Sequence, residues 1–409
     1  MSKQLIFYGA GRYAQGKLVR WLAMNIMPVC FSDADECKHY KFITALGGKS
    51  FEILPLDEVF KRYPEYELCI TVMPDSVEEV YNALTKLDIP PERIRLHPEH
   101  KQTPQHCQLI GRYLVIDGVG IRTCCAENSV CLLSNGDFRD DLAYYSSYCE
   151  QLRNDLNDCK LTSCLGCHML VDGRSDEELQ IEKVNLSTGL PGGDCCNFKC
   201  CYCTYGETLG ACERKDNILE ILHIIGEVSS VKYIQYACGE ISISPYREEI
   251  LQIWIKNRWH GHISSNAAIY FESVANLLRQ GNVILQTSLD AGTWRTFKRI
   301  KGFDCFDKVV ENLYNYASTG GGIALKYILL KEYNLNALDI DNFVEIARDI
   351  KAHVVISRDN RIINTQMSEE EYSALSYLVQ QCKKQTISYR FVEMFVARDL
   401  NRLKSDGFI

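Results

Sequence analysis

Nine consecutive residues, Cys195 to Cys203 (CCNFKCCYC), constrain this chain more than any other stretch. Within them Cys196, Cys200 and Cys203 form a Cys-x3-Cys-x2-Cys triplet, and no other choice of three cysteines there gives that spacing. Three thiolates converging from one short loop can hold three irons of a [4Fe-4S] cube and leave the fourth iron open, whereas clusters that only store or pass electrons are usually held by four cysteines. A closed structural zinc site also asks for four ligands, for which only Cys195 and Cys201 stand close by.

The triplet, with the aromatic Tyr202 just before its last cysteine, resembles the signature of the radical S-adenosylmethionine (radical SAM) enzymes. The resemblance implies that Cys196, Cys200 and Cys203 hold a catalytic [4Fe-4S] cluster whose open iron is chelated by SAM. It also implies that an electron from the cluster cleaves SAM to a 5'-deoxyadenosyl radical. The hard chemistry is then the cofactor's, and the protein positions it.

The chain has 409 residues, enough for two or three domains, and a net charge of -8, which argues against a nucleic-acid backbone as its main partner. Its 20 cysteines fit either secreted disulfides or intracellular metal chemistry. The amino terminus reads as a strand entering a glycine turn, without the zones of a signal peptide, and no apolar run reaches the roughly 20 residues that cross a bilayer. The expected setting is a reducing cytoplasm, where thiols stay free for iron.

Residues 1–105 alternate strand and helix signals: LIFYGAG, a helical run from Arg12 to Met24, PVCFSDAD, ELCITVMP and a helix near Val77 to Lys86. This predicts a small Rossmann-like parallel-sheet domain. Gly9, Gly11 and Ala14 match the dinucleotide fingerprint, and Asp33 follows at the end of the second strand, where a ribose-binding acid sits. A nucleotide or nucleotide-sugar is the ligand this suggests, against a structural or docking role. The domain resembles those at the front of some sugar-modifying and glycan-assembly proteins.

Residues 106–180 read as a cysteine-rich connector. Cys164 and Cys167 form a Cys-x2-Cys turn, whose two intervening residues let both sulfurs face one centre. The segment resembles the SPASM or twitch segments of radical SAM enzymes, here placed before the barrel and not after it. That resemblance implies an auxiliary [4Fe-4S] cluster held by Cys164 and Cys167, one of Cys124 or Cys125, and one of Cys149 or Cys159. Zinc and ordinary thiols are the alternatives.

From 181 to 409 strands and helices alternate again. The strand candidates are IEKVNLST, VKYIQYA, GHISSN, VILQTSLD, IALKYILL and HVVIS, with helices over 216–228, 271–280, 304–318 and 340–351. Such an α/β pattern predicts a partial (β/α)6 barrel with its chemistry at the carboxyl ends of the strands. Four features then fall where the family's SAM contacts stand. Gly239-Glu240 resembles the Gly-Gly-Glu-Pro motif that meets the SAM ammonium, with Cys238 and Ile241 in place of the outer Gly and Pro. Asn266, in Ser264-Ser265-Asn266, stands in a turn near the cofactor. The stretch holding Ser288 and Asp290 resembles the Ser-Leu-Asp strand that meets the SAM ribose and carboxylate, which implies hydroxyl and ammonium contacts for these two residues. Arg299 or Lys301 follows as a partner for the SAM carboxylate, or as a solvated helix face.

The expected function is therefore a radical SAM enzyme that draws electrons from an external flavodoxin- or ferredoxin-type donor. Its radical would abstract hydrogen from a peptide, suggested by the SPASM-like connector, or from a sugar-type substrate, suggested by the front domain. The competing readings are an NAD-dependent or nucleotide-sugar-binding oxidoreductase led by Gly9, Gly11 and Asp33, and a non-enzymatic iron-sulfur or zinc sensor or scaffold.

Overall fold

The computed structural model describes residues 4–45, 48–101, 103–124, 129–165, 167, 169–187, 189–193, 196–203, 216–362, 367–392 and 397–409. The chain divides into two units, one of residues 1–110, 126–130 and 148–178, the other of residues 111–125, 131–147 and 179–409. The cysteine-rich stretch 106–180 contributes to both.

The main sheet of the first unit has six strands among the described residues: β1 (Gln4–Tyr8), β2 (Cys30–Ser32), β3 (Phe42–Thr44), β4 (Ser50–Leu54), β5 (Tyr66–Ile70) and β6 (Ile94–Arg95). They lie in the order β3-β4-β2-β1-β5-β6, parallel throughout except that β3 runs antiparallel to β4. Neighbouring residues on one strand are buried alike, the pattern of a parallel sheet covered on both faces. Ile6, Leu68 and Ile70 pack with Val59 of helix α2 (Leu56–Arg62) and with Val77 and Leu84 of α3 (Val77–Thr85). On the other face Phe7, Phe31 and Cys69 pack with Ala14, Leu18 and Trp21, which lie at helical spacing on α1 (Arg12–Ala23).

Beside α1 sits a buried histidine with a testable consequence. His97 is fully buried, its Nδ1 accepts the Glu99 N–H at 3.2 Å, and its Nε2 meets the Tyr13 hydroxyl at 3.2 Å. Burial, with help from His100, Arg95 and Lys17, lowers its pKa to about 3. A histidine depressed in the fold binds more protons when unfolded, so its stabilisation is present above about pH 6.5 and drains as pH falls below that value. Stability measured by urea unfolding is expected to drop by about 2 kcal/mol from about pH 7.5 to pH 5, and a His97→Gln variant should lose most of that slope. An unchanged slope in the variant would remove His97 as the cause.

The second unit is built on a ten-stranded sheet. Its strands are β7 (Tyr113–Ile116), β8 (Gly120–Arg122), β9 (Cys131–Leu133), β10 (Lys183–Leu186), β11 (Tyr233–Tyr236), β12 (His260–Ser264), β13 (Val283–Ser288), β14 (Gly322–Leu329), β15 (His353–Arg358) and β16 (Tyr389–Phe391). The order is β9-β8-β7-β10-β11-β12-β13-β14-β15-β16. From β7 through β16 every adjacent pair is parallel, and β8 and β9 add an antiparallel edge. This is a mixed α/β fold with parallel sheets, and the six strands read from the sequence beyond residue 180 are all present. The edge strand β16 was not among them, nor were β7, β8 and β9, which come before residue 180.

Alternation along the strands separates the two faces of this sheet. Leu325, Tyr327 and Leu329 are buried, and the Tyr327 ring meets Phe343 of a helix over Ala337–Asp349 with ring centroids 4.7 Å apart. Their neighbour Lys326 faces the other way and is half-buried, as are Gln235, His262, Gln286 and Ser288. Among the described residues no helix is long and apolar enough to cross a membrane.

Candidate active site

The cysteine loop follows β10 and is held mainly by backbone groups and an aromatic anchor. Helix Trp294–Lys301 leaves its last carbonyls without intrahelical partners. Two of them are taken by the loop: the Lys199 N–H donates to the Lys301 carbonyl at 3.0 Å and the Cys201 N–H to the Ile300 carbonyl at 2.8 Å. Gly302 ends this helix at φ +69, and a Cβ there would stand 3.0 Å from the Lys199 carbonyl oxygen, so the close approach depends on glycine. Phe198 anchors the loop further, edge-on to Phe297 and stacked on Phe303. The Arg361 guanidinium, clamped by Asp359, donates to the Cys201 carbonyl at 2.6 Å.

Cys196 and Cys203 are exposed and Cys200 is half-buried. Burial pushes all three thiols up, Cys200 to about 11 even though the Lys301 ammonium pulls it down. Each of Cys196 and Cys200 is also raised by the negative charge of Cys203, so the three sulfurs share one electrostatic neighbourhood. Among the described residues no group of three or more His, Cys, Asp or Glu is already closed to metal-holding spacing. The donor set still fits a cluster held at three corners: soft thiols, gathered by one loop, which lose their protons on meeting iron.

The next three strands deliver the other candidates, each through a residue with left-handed backbone just past the strand end: Gly239 (φ +49) after β11, Ala267 (φ +57) after β12 and Asp290 (φ +58) after β13. Non-glycine residues seldom adopt that region, and its use at these strand ends is a feature of sites that must place a side chain. The Glu240 carboxylate is buried and accepts four hydrogen bonds. They come from the Ser242 N–H (3.1 Å), the Ser242 and Ser265 hydroxyls (both 2.7 Å) and the Asn266 N–H (2.6 Å). It thus ties the end of β11 to the end of β12. Asn266 in turn donates from Nδ2 to Asn197 Oδ1 at 2.6 Å, with the same nitrogen 3.9 Å from Cys196 Sγ.

Asp290 is fully buried, and both its oxygens are occupied. Oδ1 accepts the Ile328 N–H at 2.8 Å, and Oδ2 accepts the Tyr202 hydroxyl at 2.7 Å and Lys301 Nζ at 2.5 Å. Lys301 Nζ also donates to the Tyr202 hydroxyl at 2.7 Å. Burial, then the Asp290 charge, holds the Tyr202 phenol far above its ordinary range, so it remains a neutral donor. Lys301 is therefore an interior partner of Asp290, while Arg299 reaches the Glu332 carbonyl at 3.1 Å and lies over the Tyr333 ring. Asn334, which sequence reasoning missed, donates to the Asp290 and Ile328 carbonyls at 2.8 and 2.7 Å. Ser288 lies half-buried at the end of β13, in register with Lys326.

The structure therefore brings Cys196, Cys200, Tyr202, Cys203, Glu240, Asn266 and Asp290 into one connected region of the second unit. Gly239 and Ser288 stand beside them at the ends of β11 and β13, and the other candidates lie elsewhere in the chain. In the first unit, Gly9 (φ +110) would place a Cβ 2.8 Å from Val72, while a Cβ on Gly11 meets nothing within 4 Å. The Asp33 carboxylate accepts the Ala10 N–H at 2.6 Å, the Asp35 N–H at 2.9 Å and Lys38 Nζ at 3.0 Å. Burial raises it, but these donors outweigh burial and hold it below the usual carboxylate value. Cys159, Cys164 and Cys167 also belong to the first unit, with the Cys167 N–H on the Cys164 carbonyl at 2.9 Å. Cys124 is buried in the second. Cys125, and Cys195 beside the cluster loop, lie outside the described residues.

No curated protein matches this sequence. Solved structures similar to it include Streptococcus suis SuiB bound to S-adenosylmethionine, at 10% identity and a TM-score of 0.42 over 64% of this chain and 58% of that one. The same protein bound to its precursor peptide SuiA is similar at 11% identity and a TM-score of 0.44, over 70% of this chain and 73% of that one. A radical SAM methyltransferase from Sphaerobacter thermophilus is similar at 14% identity and a TM-score of 0.37, over 49% and 63%. This chain thus spans less than two thirds of the length of the first and third of these. The family model of the Radical SAM superfamily matches residues 190–351, a span that opens just before the cysteine loop and runs to the start of β15. Residues 190–351 are thus a radical SAM domain by this match, the kind of domain whose cofactors are a [4Fe-4S] cluster and S-adenosylmethionine.

Proposed function

We propose that this enzyme abstracts hydrogen from an unactivated C–H bond of a peptide or sugar-type substrate, inside a partial (β/α)6 barrel formed by β10 to β15 and their helices. Cys196, Cys200 and Cys203 would hold the cluster. When bound, cluster and SAM together supply a 5'-deoxyadenosyl radical. Gly239, Asn266 and Ser288 would face SAM, with backbone oxygens near Gly239 for its ammonium and the Ser288 hydroxyl for its ribose. Glu240 and Asp290 would act from behind, because their carboxylates already hold the strand ends and Tyr202 in place. Excluding water and stray thiols from the radical is then the task of the helix-free face of the sheet.

The observation that supports this reading is the hydrogen-bonded path from the cysteine loop through Asn197 and Asn266 to Glu240, which links residues distant in sequence at the ends of adjacent parallel strands. We further propose that the electron comes from a flavodoxin- or ferredoxin-type donor in the cytoplasm. Cys164 and Cys167, with one of Cys149 or Cys159 from the same unit, would be ligands of an auxiliary [4Fe-4S] site in a SPASM- or twitch-like segment. Residues 1–105 would form a Rossmann-like domain carrying a nucleotide near Gly9, Gly11 and Asp33. Anaerobically reconstituted protein is expected to contain about four irons per chain, or about eight with a second cluster, and to convert SAM to 5'-deoxyadenosine with dithionite. Zinc in place of iron, or SAM left intact, would reject the reading.

A further inference from the structure

The face of the second sheet turned away from its helices carries polar side chains that the fold does not use. Gln235, His262, Gln286, Ser288, Lys326 and Arg390 lie on β11 to β14 and β16, and registration aligns them on one face. Among the described residues none of the six makes a side-chain hydrogen bond or ion pair. Five of the six are half-buried and Arg390 is exposed, so this polar row is open to a ligand that could supply the missing partners.

Two of the six are cations. Lys326 and Arg390 both register with Val355, one from each side, so their Cα atoms stand roughly 10 Å apart across β15 and their side chains share a face. Lys326 is half-buried, and burial is the main influence lowering its pKa, with Asp290 opposing. The Asp290 carboxylate is already bound by Lys301 and Tyr202 and supplies no direct partner. The Arg390 charge is felt at Lys326, His262, His353 and Tyr233. A cavity of about 540 Å3 opens beside Arg390 at the amino ends of these strands, lined in part by His262, Gly320, Gly321, Ala324, His353 and Arg390, and Lys326 stands two residues beyond Ala324 on β14, outside that lining. Half-burying an ammonium without a counter-charge is costly, and an anion supplied by a ligand removes that cost.

We infer that this face binds a substrate bearing an oxyanion group, a phosphoryl or a carboxylate, held between Lys326 and Arg390 with Ser288 and Gln286 toward the SAM end of the strands. The inference rests on the radical SAM reading only in taking this face as the substrate's. An ammonium and a guanidinium at this separation suit a group with several anionic oxygens, since the planar guanidinium can engage two of them and the ammonium a third.

The test is acetylation of the cluster-loaded protein by a water-soluble N-hydroxysuccinimide ester, with modification at Lys326 read by peptide mass spectrometry. It is run in inorganic phosphate, in acetate and in chloride at equal ionic strength. Labelling of Lys326 is expected to fall about tenfold at an anion concentration about ten times its dissociation constant, with chloride giving no such protection. Protection by phosphate alone points to a phosphorylated substrate, and equal protection by acetate to a carboxylate. An Arg390→Gln variant should lose the protection. Equal labelling in all three salts, or protection that survives in the variant, overturns the site. SAM cleavage is measured on the same preparation: cleavage without protection rejects the anion site alone, and protection without cleavage rejects the radical SAM reading alone.

Discussion

Replacing Cys196, Cys200 and Cys203 together by alanine is expected to leave a folded protein that carries about four fewer irons per chain and forms no detectable 5'-deoxyadenosine from SAM and dithionite. The fold should survive because the loop is not held by its sulfurs. The Lys199 and Cys201 amides cap helix Trp294–Lys301, Phe198 sits between Phe297 and Phe303, and Arg361 grips the Cys201 carbonyl. The triple variant therefore separates chemistry from folding. Cys201 is the internal control. It packs toward Ile300, Ile328 and Leu330, so Cys201→Ala should keep its iron and its SAM cleavage. Cleavage retained in the triple variant, or lost in Cys201→Ala with equal iron loss, would assign the cluster to other ligands.

Much of this architecture was legible because parallel strands declare themselves. VILQTS and IALKYIL are strongly β-forming runs bounded by turns, and the amphipathic pattern of Ile218, Ile221, Leu222 and Ile225 marks the helix between β10 and β11. The short strands were less so. The edge strand β16 has three residues following a left-handed Thr386, and β7, inside the sheet, is the four-residue run YLVI in a cysteine-rich stretch. Helix Glu369–Lys384 carries a readable start in the sequence, Ser368 paired with Glu371 in a capping box. At the site, the sequence located the residues but not their partners. The motif around Glu240 suggests a contact for the SAM ammonium, yet Ser242, Ser265 and the Asn266 amide occupy its carboxylate, and no local pattern announces that four donors converge on one acid. Asn334, from a turn after β14, left no signal at all.

The same convergence makes Asp290 the position where one substitution should cost most. Asp290 and Lys301 are almost wholly inaccessible, at 0% and 2% side-chain exposure, and Tyr202 bridges them from a loop 88 residues earlier. Two buried charges compensate each other, so removing one leaves the other desolvated and alone. Asp290→Ala is expected to destabilise the protein by about 3–5 kcal/mol, read by urea unfolding under anaerobic conditions. Lys301→Met should cost a similar amount, for the mirror-image reason. The double variant, with an apolar pair of similar volume, should be more stable than the sum of the two losses, because neither charge is then stranded. Tyr202→Phe removes one hydroxyl and should cost closer to about 1–2 kcal/mol. Because Tyr202 lies between Cys200 and Cys203, each of these changes should also lower the iron retained after desalting, in the same rank order as the stability loss. Strictly additive single and double losses would show that the ion pair does not act as a unit. Iron retention indifferent to all of them would show that the cysteine loop keeps its shape without Asp290 behind it.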